Sequence, residues 1–270
     1  MNFKIYYRKS LFSKEELDTA SKYFDCVDLL TNIKSNELVI PRYSLYPFPR
    51  DQEREVINNG STLINSYSQH IYIADLQNYV MDLGFLTPKT WDDISKIPEE
   101  GPFILKGETN SKKSNWNKNM YASNKKEAIE VQSRLLDDAL IGQQKIYIRE
   151  YVPLVQYFTG FGGVPITKEF RFFVAFGKVI SGGYYWQNYA EDLDKIPSTD
   201  EVPAEFLQTV INKVGDNCNF YVIDVAQTKA GDWIVIELND AAQSGLSCND
   251  PEILYSNLKK VLEEKYDIPK

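Results

Sequence analysis

The 270-residue chain predicts an α+β fold in three consecutive segments, on three observations. The C-terminal half repeats runs of strand length that pair locally: Lys168–Phe176 with Lys178–Trp186 around Gly177, and Phe220–Ala226 with Trp233–Leu238 around Lys229-Ala230-Gly231-Asp232. Neighbouring strands joined by short turns make antiparallel sheet. The first 75 residues alternate short strands with a capped helix, the pattern of a small α/β lobe. Between them lies a strand–loop–helix–strand unit. The predicted boundaries are 1–75, 76–152 and 153–270.

Taken in order, Phe3–Tyr7 alternates like a strand, and Ser13-Lys14-Glu15-Glu16 opens a helix with a capping box. Leu17, Ala20 and Phe24 give that helix its apolar stripe. Short strands follow at Cys26–Leu30 and Leu38–Pro41, then an irregular stretch at Pro41–Arg50. Ile71–Leu83 reads as one helix, with Leu76, Val80 and Leu83 at helical spacing and Gly84 as its stop. Thr87-Pro88 begins a connector to a strand at Pro102–Lys106 and a polar loop at Gly107–Ala122. Asn124 with Glu127 starts a helix that Gly142 ends, and Lys145–Val152 is the next strand. Beyond the first C-terminal hairpin, Val202–Gly215 is helical, and Asp250-Pro251 opens the last helix.

Composition excludes several functions. The net charge of −8 argues against a general nucleic-acid footprint. Cys26, Cys218 and Cys248 are odd in number and have neither metal nor disulfide-framework spacing, which points to a reducing compartment. No run approaches the roughly 20 apolar residues of a membrane span, and the N-terminus has no signal-peptide core. The expected location is the cytoplasm, the host's if the chain is phage-encoded. His70 is the one histidine, which rules out multi-histidine metal sites, and no nucleophile elbow or P-loop occurs.

The chemistry concentrates in the last hairpin. Its apolar runs carry Asp224 and Glu237 where a buried strand calls for aliphatic residues. A turn centred between Ala230 and Gly231 pairs the two directly. Like charges at paired positions destabilise a sheet and resist joint ionisation. A hard cation relieves both. Asn239, two residues past Glu237, shares its face. Three oxygen donors on one sheet face suit Mg²⁺ or Mn²⁺.

Other residues add to this. Lys106 leaves a core strand into a loop with Lys112, Lys113 and Lys118, a sensible phosphate clamp. Arg149 and Glu150 interrupt the apolar strand that ends at Tyr151-Val152-Pro153, whose free backbone groups suit a planar heterocycle. Glu169 and Arg171 share a strand face, and Arg171 offers a fork for phosphate or carboxylate. In the front segment, Arg42, Tyr43, Arg50 and the Ser66–His70 run are candidates for binding a substrate carboxylate.

In this order, the Lys106 strand, Ile148-Arg149-Glu150-Tyr151-Val152, Lys168-Glu169-Phe170-Arg171, the Asp224 strand and Glu237-Leu238-Asn239 resemble the ATP-grasp superfamily over roughly residues 75–270. Glu169–Val174 and Ser114-Asn115-Trp116 carry a closer likeness to a divergent, arginine-variant clade found in phages and bacteria, which also resembles the eukaryotic initiation-factor assembly chaperone. Arg42–Phe48 and Ile64–His70 resemble the front lobe of phage and bacterial members. The resemblance implies two α+β lobes gripping ATP behind a small α/β lobe. It further implies phosphates on Lys106, Lys113 and Arg171, the nucleobase on Glu150, Tyr151 and Val152, and Mg²⁺ or Mn²⁺ on Asp224, Glu237 and Asn239. Lys106 and Arg171 are the implied catalytic residues; Arg42, Tyr43, Ser66 and His70 are the substrate-side candidates.

The chain departs from the family in its phosphate loop, which is not glycine-rich, and in lacking a clear second lysine near Asp75. Arg149, Lys112 and Lys113 are the candidates to supply that charge. The implied activity is an ATP- and Mg-dependent carboxylate–amine or carboxylate–thiol ligase working through an acyl phosphate, on a small molecule, peptide or protein. An ATP-binding assembly chaperone and a kinase or nucleotidyl transferase are the alternatives. Asp224→Asn is expected to abolish Mg-dependent turnover and leave the fold intact.

Overall fold

A computed structural model describes residues 1–8, 13–43, 49–109 and 111–266. The elements are β1 (Asn2–Tyr6), α1 (Lys14–Ala20), β2 (Asp25–Val27), β3 (Glu37–Pro41), α2 (Pro49–Asn58), β4 (Thr62–Leu63), α3 (Tyr67–Ala74), α4 (Leu76–Leu83), β5 (Thr90–Trp91), β6 (Glu100–Gly107), α5 (Trp116–Asn119), β7 (Tyr121–Asn124) and α6 (Lys125–Leu136). They continue with β8 (Ile146–Glu150), β9 (Gln156–Thr159), β10 (Pro165–Thr167), β11 (Glu169–Ala175), β12 (Lys178–Tyr184), α7 (Ala204–Val214), β13 (Phe220–Gln227), β14 (Trp233–Asp240) and α8 (Pro251–Lys265).

The front strands form a parallel sheet in the order β2-β1-β3-β4. The middle strands form an antiparallel sheet, β5-β8-β6-β7, and the C-terminal strands another, β12-β11-β13-β14. β9 and β10 make a separate hairpin. Caps set several boundaries as the sequence predicts. The Ser13 side chain accepts from Glu16 N, that of Asn124 from Glu127 N, and that of Asp250 from Glu252 N; the capping box expected at Ser13 is only half formed, because the Glu16 carboxylate accepts from Arg42 and Tyr255 instead. Phe176 and Gly177, both at positive φ, turn β11 into β12.

The expected helix over Ile71–Leu83 is two helices. Asp75 is extended (φ −86°, ψ 107°) and caps α4 by accepting from Gln77 N at 3.1 Å. The same carboxylate accepts from Tyr147 Oη (2.5 Å) and Lys145 Nζ (3.0 Å), so it ties the helix break to β8. The strand expected at Cys26–Leu30 ends at Val27, and the connector after Thr87 contributes β5, which pairs with β8. The run Ser44–Phe48 and Asn110 lie outside the described residues.

The C-terminal sheet decides where a site can form. One face, with Phe170, Phe172, Val174, Ile223 and Val225, is covered by α4 and α7. On the other, Phe173, Ala175, Phe220 and Val222 pack beneath the front sheet and α8, against Phe3, Ile5, Ile40 and Tyr255. Period 2 continues that second face outward through Arg171 and Glu169 on β11 and through Asp224 on β13. Front-lobe cover thus stops halfway along the face, and its remaining polar half looks across a cleft at the middle sheet.

Candidate active site

The predicted carboxylates are directly paired, Asp224 with Glu237, and Val222 pairs with Asn239, so all three predicted donors share one sheet face. The symmetric turn inferred from the sequence is not what aligns them. Gln227 pairs with Trp233 and Ala226 with Ile234, a register that carried on unbroken would set Glu237 opposite Ile223. A β-bulge between the Asp224 and Val225 pairs inserts Ile236 and corrects the alignment.

Asp224 is 1% exposed, and Arg171, its cross-strand partner on β11, grips it with a bidentate fork: Nε to Oδ1 at 2.8 Å and Nη2 to Oδ2 at 2.7 Å. Nη1 donates to the Gly245 carbonyl at 2.9 Å, and the guanidinium lies 5.0 Å over the Tyr185 ring. Glu237 pairs with the buried Lys106 ammonium, which reaches it from β6 across the cleft. Burial pushes the Glu237 carboxyl up, but Lys106, with Lys113 and Arg149 nearby, outweighs it and holds the group below the usual glutamate range. Among the described residues no three His, Cys, Asp or Glu side chains converge, so the donor set depends on the Asn239 amide as its third member.

Two connected recesses make up the cleft. One is largely apolar, lined by Ile104, Met120, Tyr151, Val152, Ile234 and Ile236, and it runs to Lys106, Lys113, Glu169 and Glu237. The other is polar and holds Lys113, Arg171, Glu237, Asn239 and Gln243. At the hinge, the amides of Glu150 and Tyr151 donate to the Lys89 and Pro102 carbonyls at 2.8 and 3.0 Å. Among the described residues the Val152 amide has no such partner, and the proline after it keeps Val152 extended. That leaves one backbone donor at the rim of an apolar slot.

The two loop lysines part company. Lys112 pairs with Asp138 beyond α6, away from the cleft. Lys113 donates to Tyr185 Oη at 2.8 Å and lies 4.4 and 4.6 Å from the Tyr185 and Trp186 ring centroids. The loop carrying it docks on the β9–β10 hairpin. Gly162 sits there at φ +70°, where a Cβ would lie 2.7 Å from Asn115 N. Arg149 also lines the apolar recess, and its guanidinium donates to the Ile236 carbonyl and to Thr87 and Thr90.

The front-lobe candidates have different neighbours. Arg42 is buried, forks Glu16 (2.8 Å to Nη2), and donates to the Ala241 and Ser244 carbonyls beyond β14. Tyr43 donates to Gln52 at 2.6 Å within the front lobe, and Ser66 caps α3 in a capping box with Gln69. His70 Nδ1 lies 2.8 Å from Asp240 at the end of β14, and its ring lines a recess with Arg50, Tyr67, Glu108, Thr109 and Gln243. Thr109 and Gln243 also line the polar recess, so the two adjoin.

Glu169, to which the sequence reading gave no role, has an unusual environment. It is buried in the cleft, accepts from Thr167 Oγ1 at 3.2 Å, and is pushed up to about 7, chiefly by burial and secondly by Asp224, against the pull of Lys113 and Arg171. The folded carboxyl keeps its proton to about 7 and the unfolded one only to about 4.5, so the folded state binds more protons in that window. Stability therefore falls as pH rises from about 4.5 to about 7. Glu169→Gln is expected to remove that slope and to be more stable than wild type at pH 8 by about 3 kcal/mol. Urea unfolding of both proteins at pH 5 and pH 8 measures the difference, and parallel curves would show that the carboxyl titrates normally.

A family profile described as ATP-grasp domain, R-2-K clade family 3, matches residues 93–258. No curated protein matches. Among solved structures, a RiPP-associated ATP-grasp ligase of Chryseobacterium gregarium, in complex with ADP and a leader and core peptide, superposes with a TM-score of 0.61 at 10% identity, covering 98% of this chain and 97% of that one. The macrocyclase MdnC of Microcystis aeruginosa MRC, bound with the precursor peptide MdnA, gives 0.59 at 11% identity, covering 98% and 100%. D-cycloserine synthetase DcsG gives 0.60 at 10% identity, covering 97% and 100%. At such identities these proteins share the fold. With the profile spanning more than half of the sequence, the chain belongs to this clade of the ATP-grasp domain family.

Proposed function

We propose that the protein is an ATP-dependent ligase joining a carboxylate to an amine or thiol, with a peptide or protein as the preferred acceptor. The observation that carries this is the make-up of one cleft: an apolar slot with a spare hinge amide at one end, and Lys106, Lys113 and Arg171 beside Glu237 and Asn239 at the other. The peptide preference draws on the neighbours whose structures hold precursor, leader or core peptides.

In this reading the Val152 amide and the Ile104, Met120, Ile234 and Ile236 walls hold the adenine. Lys106, Lys113 and Arg171 face the phosphates. The donor chemistry fits a hard divalent cation, because Glu237 and Asn239 offer oxygen ligands from one sheet face and Asp224, paired with Glu237, would add a third by turning an oxygen out of the Arg171 fork. When bound, Mg²⁺ neutralises charge on the β- and γ-phosphate oxygens. An acceptor carboxylate oxygen bonds to the γ-phosphorus as the bond to ADP breaks. The amine or thiol then bonds to the acyl carbon and gives up a proton, the C–O bond to the phosphoryl group breaks, and inorganic phosphate leaves with the former carboxylate oxygen and its electron pair. Lys106 and Arg171 stand where charge grows on the transferred group, held in place by Glu237 and Asp224 before substrate arrives.

The test is ATP turnover with a panel of amino acids and short peptides, read by phosphate release and product mass. The expected result is ADP, phosphate and a product lighter by one water than its two parts. A phosphorylated or adenylylated product would replace the ligase with a transferase. Tight ATP binding without turnover, together with a stable protein partner, would favour an assembly chaperone.

A further inference from the structure

We propose that Arg149 is a positioning residue: it clamps the bulge at Ile236 and so aims Glu237 and Asn239 into the cleft. The proposal rests on the ATP- and metal-binding reading above and assigns Arg149 a task other than phosphate charge. Arg149 is 5% exposed, and among the described residues the nearby carboxylates Glu237 and Asp224 pair with Lys106 and Arg171 rather than with it. Its acceptors are neutral. Nη1 donates to the carbonyl of Ile236, the inserted residue. Nη2 donates to Thr87 Oγ1 at 2.7 Å, and that hydroxyl donates onward to the Val235 carbonyl at 2.8 Å. Nε reaches Thr90 Oγ1 at 3.3 Å. One planar fork thus secures two successive carbonyls of β14, a geometry that an ammonium point charge does not reproduce.

Register explains why this matters. From the Ala226–Ile234 pair outward, an unbulged ladder would set Ile236 opposite Asp224 and Glu237 opposite Ile223. A one-residue slip sends every later side chain to the other face. Glu237 would then enter the apolar layer that holds Phe172, Ile223 and Val225, and Asn239 would follow it. A bulge leaves ladder groups unpaired. Arg149 and Thr87 supply partners there.

The experiment compares wild type with Arg149→Lys, Arg149→Met and Thr87→Val. Binding of the non-hydrolysable analogue AMP-PNP is measured by calorimetry in EDTA, and Mn²⁺ binding to each protein–AMP-PNP complex by electron paramagnetic resonance. The expected result is Mn²⁺ binding weakened by about 10- to 100-fold, the usual effect of removing a residue that orients a ligand, with a clearly smaller loss of AMP-PNP affinity in EDTA, since Arg149 and Ile236 also line the apolar recess. Thr87→Val should shift the same quantity in the same direction. Equal losses with and without metal would make Arg149 a direct phosphate contact and overturn the proposal, as would no loss in either. If the Arg149 variants fail to fold, Thr87→Val decides alone by the same two readouts. Wild type that binds no AMP-PNP would instead overturn the functional reading, and that is seen before any variant is compared.

Discussion

Asp224→Asn is expected to lose ATP turnover and also about 3 kcal/mol of stability, because it leaves the Arg171 guanidinium buried without its counter-charge. This revises the fold-neutral outcome expected from the sequence. There, Asp224 was only a carboxylate in an apolar strand. In the structure both of its oxygens accept from Arg171 across the β11–β13 ladder, and it is almost fully buried. Breaking such a pair from one side costs more than the pair contributes, since the remaining charge stays desolvated. Urea unfolding should show a lowered midpoint at unchanged slope, and phosphate release should show the lost turnover. An unchanged midpoint would mean that the fork does not form in solution. Full turnover in the folded variant would remove Asp224 from the site.

What the sequence revealed and what it hid follow from different physics. Polar side chains in apolar strands stand out, because a buried charge needs a reason. That is why Lys106, Arg149, Arg171, Asp224 and Glu237 were legible as candidates, and why period 2 put Asn239 on the face of Glu237. The apolar wall was not legible: Ile104, Met120, Ile234 and Ile236 line a cleft, but an apolar side chain facing a cleft has the same sequence signature as one facing core. Long-range polar partners were equally hidden. Arg42 read as a candidate for binding a substrate carboxylate, whereas Glu16, Tyr255 and the carbonyls after β14 surround it from three distant parts of the chain. The bulge was masked for another reason. The turn centre inferred from the sequence led to the correct Asp224–Glu237 pairing by an incorrect path, since one extra residue in β14 offsets the true turn register.

Lys106→Met should separate what the Lys106–Glu237 pair does for folding from what it does for ATP. Lys106 is 4% exposed, and burial, with Arg149 and Lys113 nearby, pushes its ammonium down against the opposing pull of Glu237. Replacing it with a side chain of similar length removes the cation that holds the Glu237 carboxyl low, so that carboxyl should rise and the fold should weaken. Adding Glu237→Gln removes the stranded charge, and the double variant should regain most of the lost stability, since replacing both halves of a buried pair is often neutral. Turnover should follow the opposite course. A fixed cation facing transferred phosphate in a cleft shielded from water contributes about 10²–10³ in rate, so Lys106→Met should lose that factor. Glu237→Gln should not restore it, because in the proposed reading the second change also weakens a cation ligand. Stability that recovers while turnover does not would separate the electrostatic task of Lys106 from its structural one. Recovery of both in the double variant would show that Lys106 only neutralises Glu237, and phosphate stabilisation would then fall to Lys113 and Arg171.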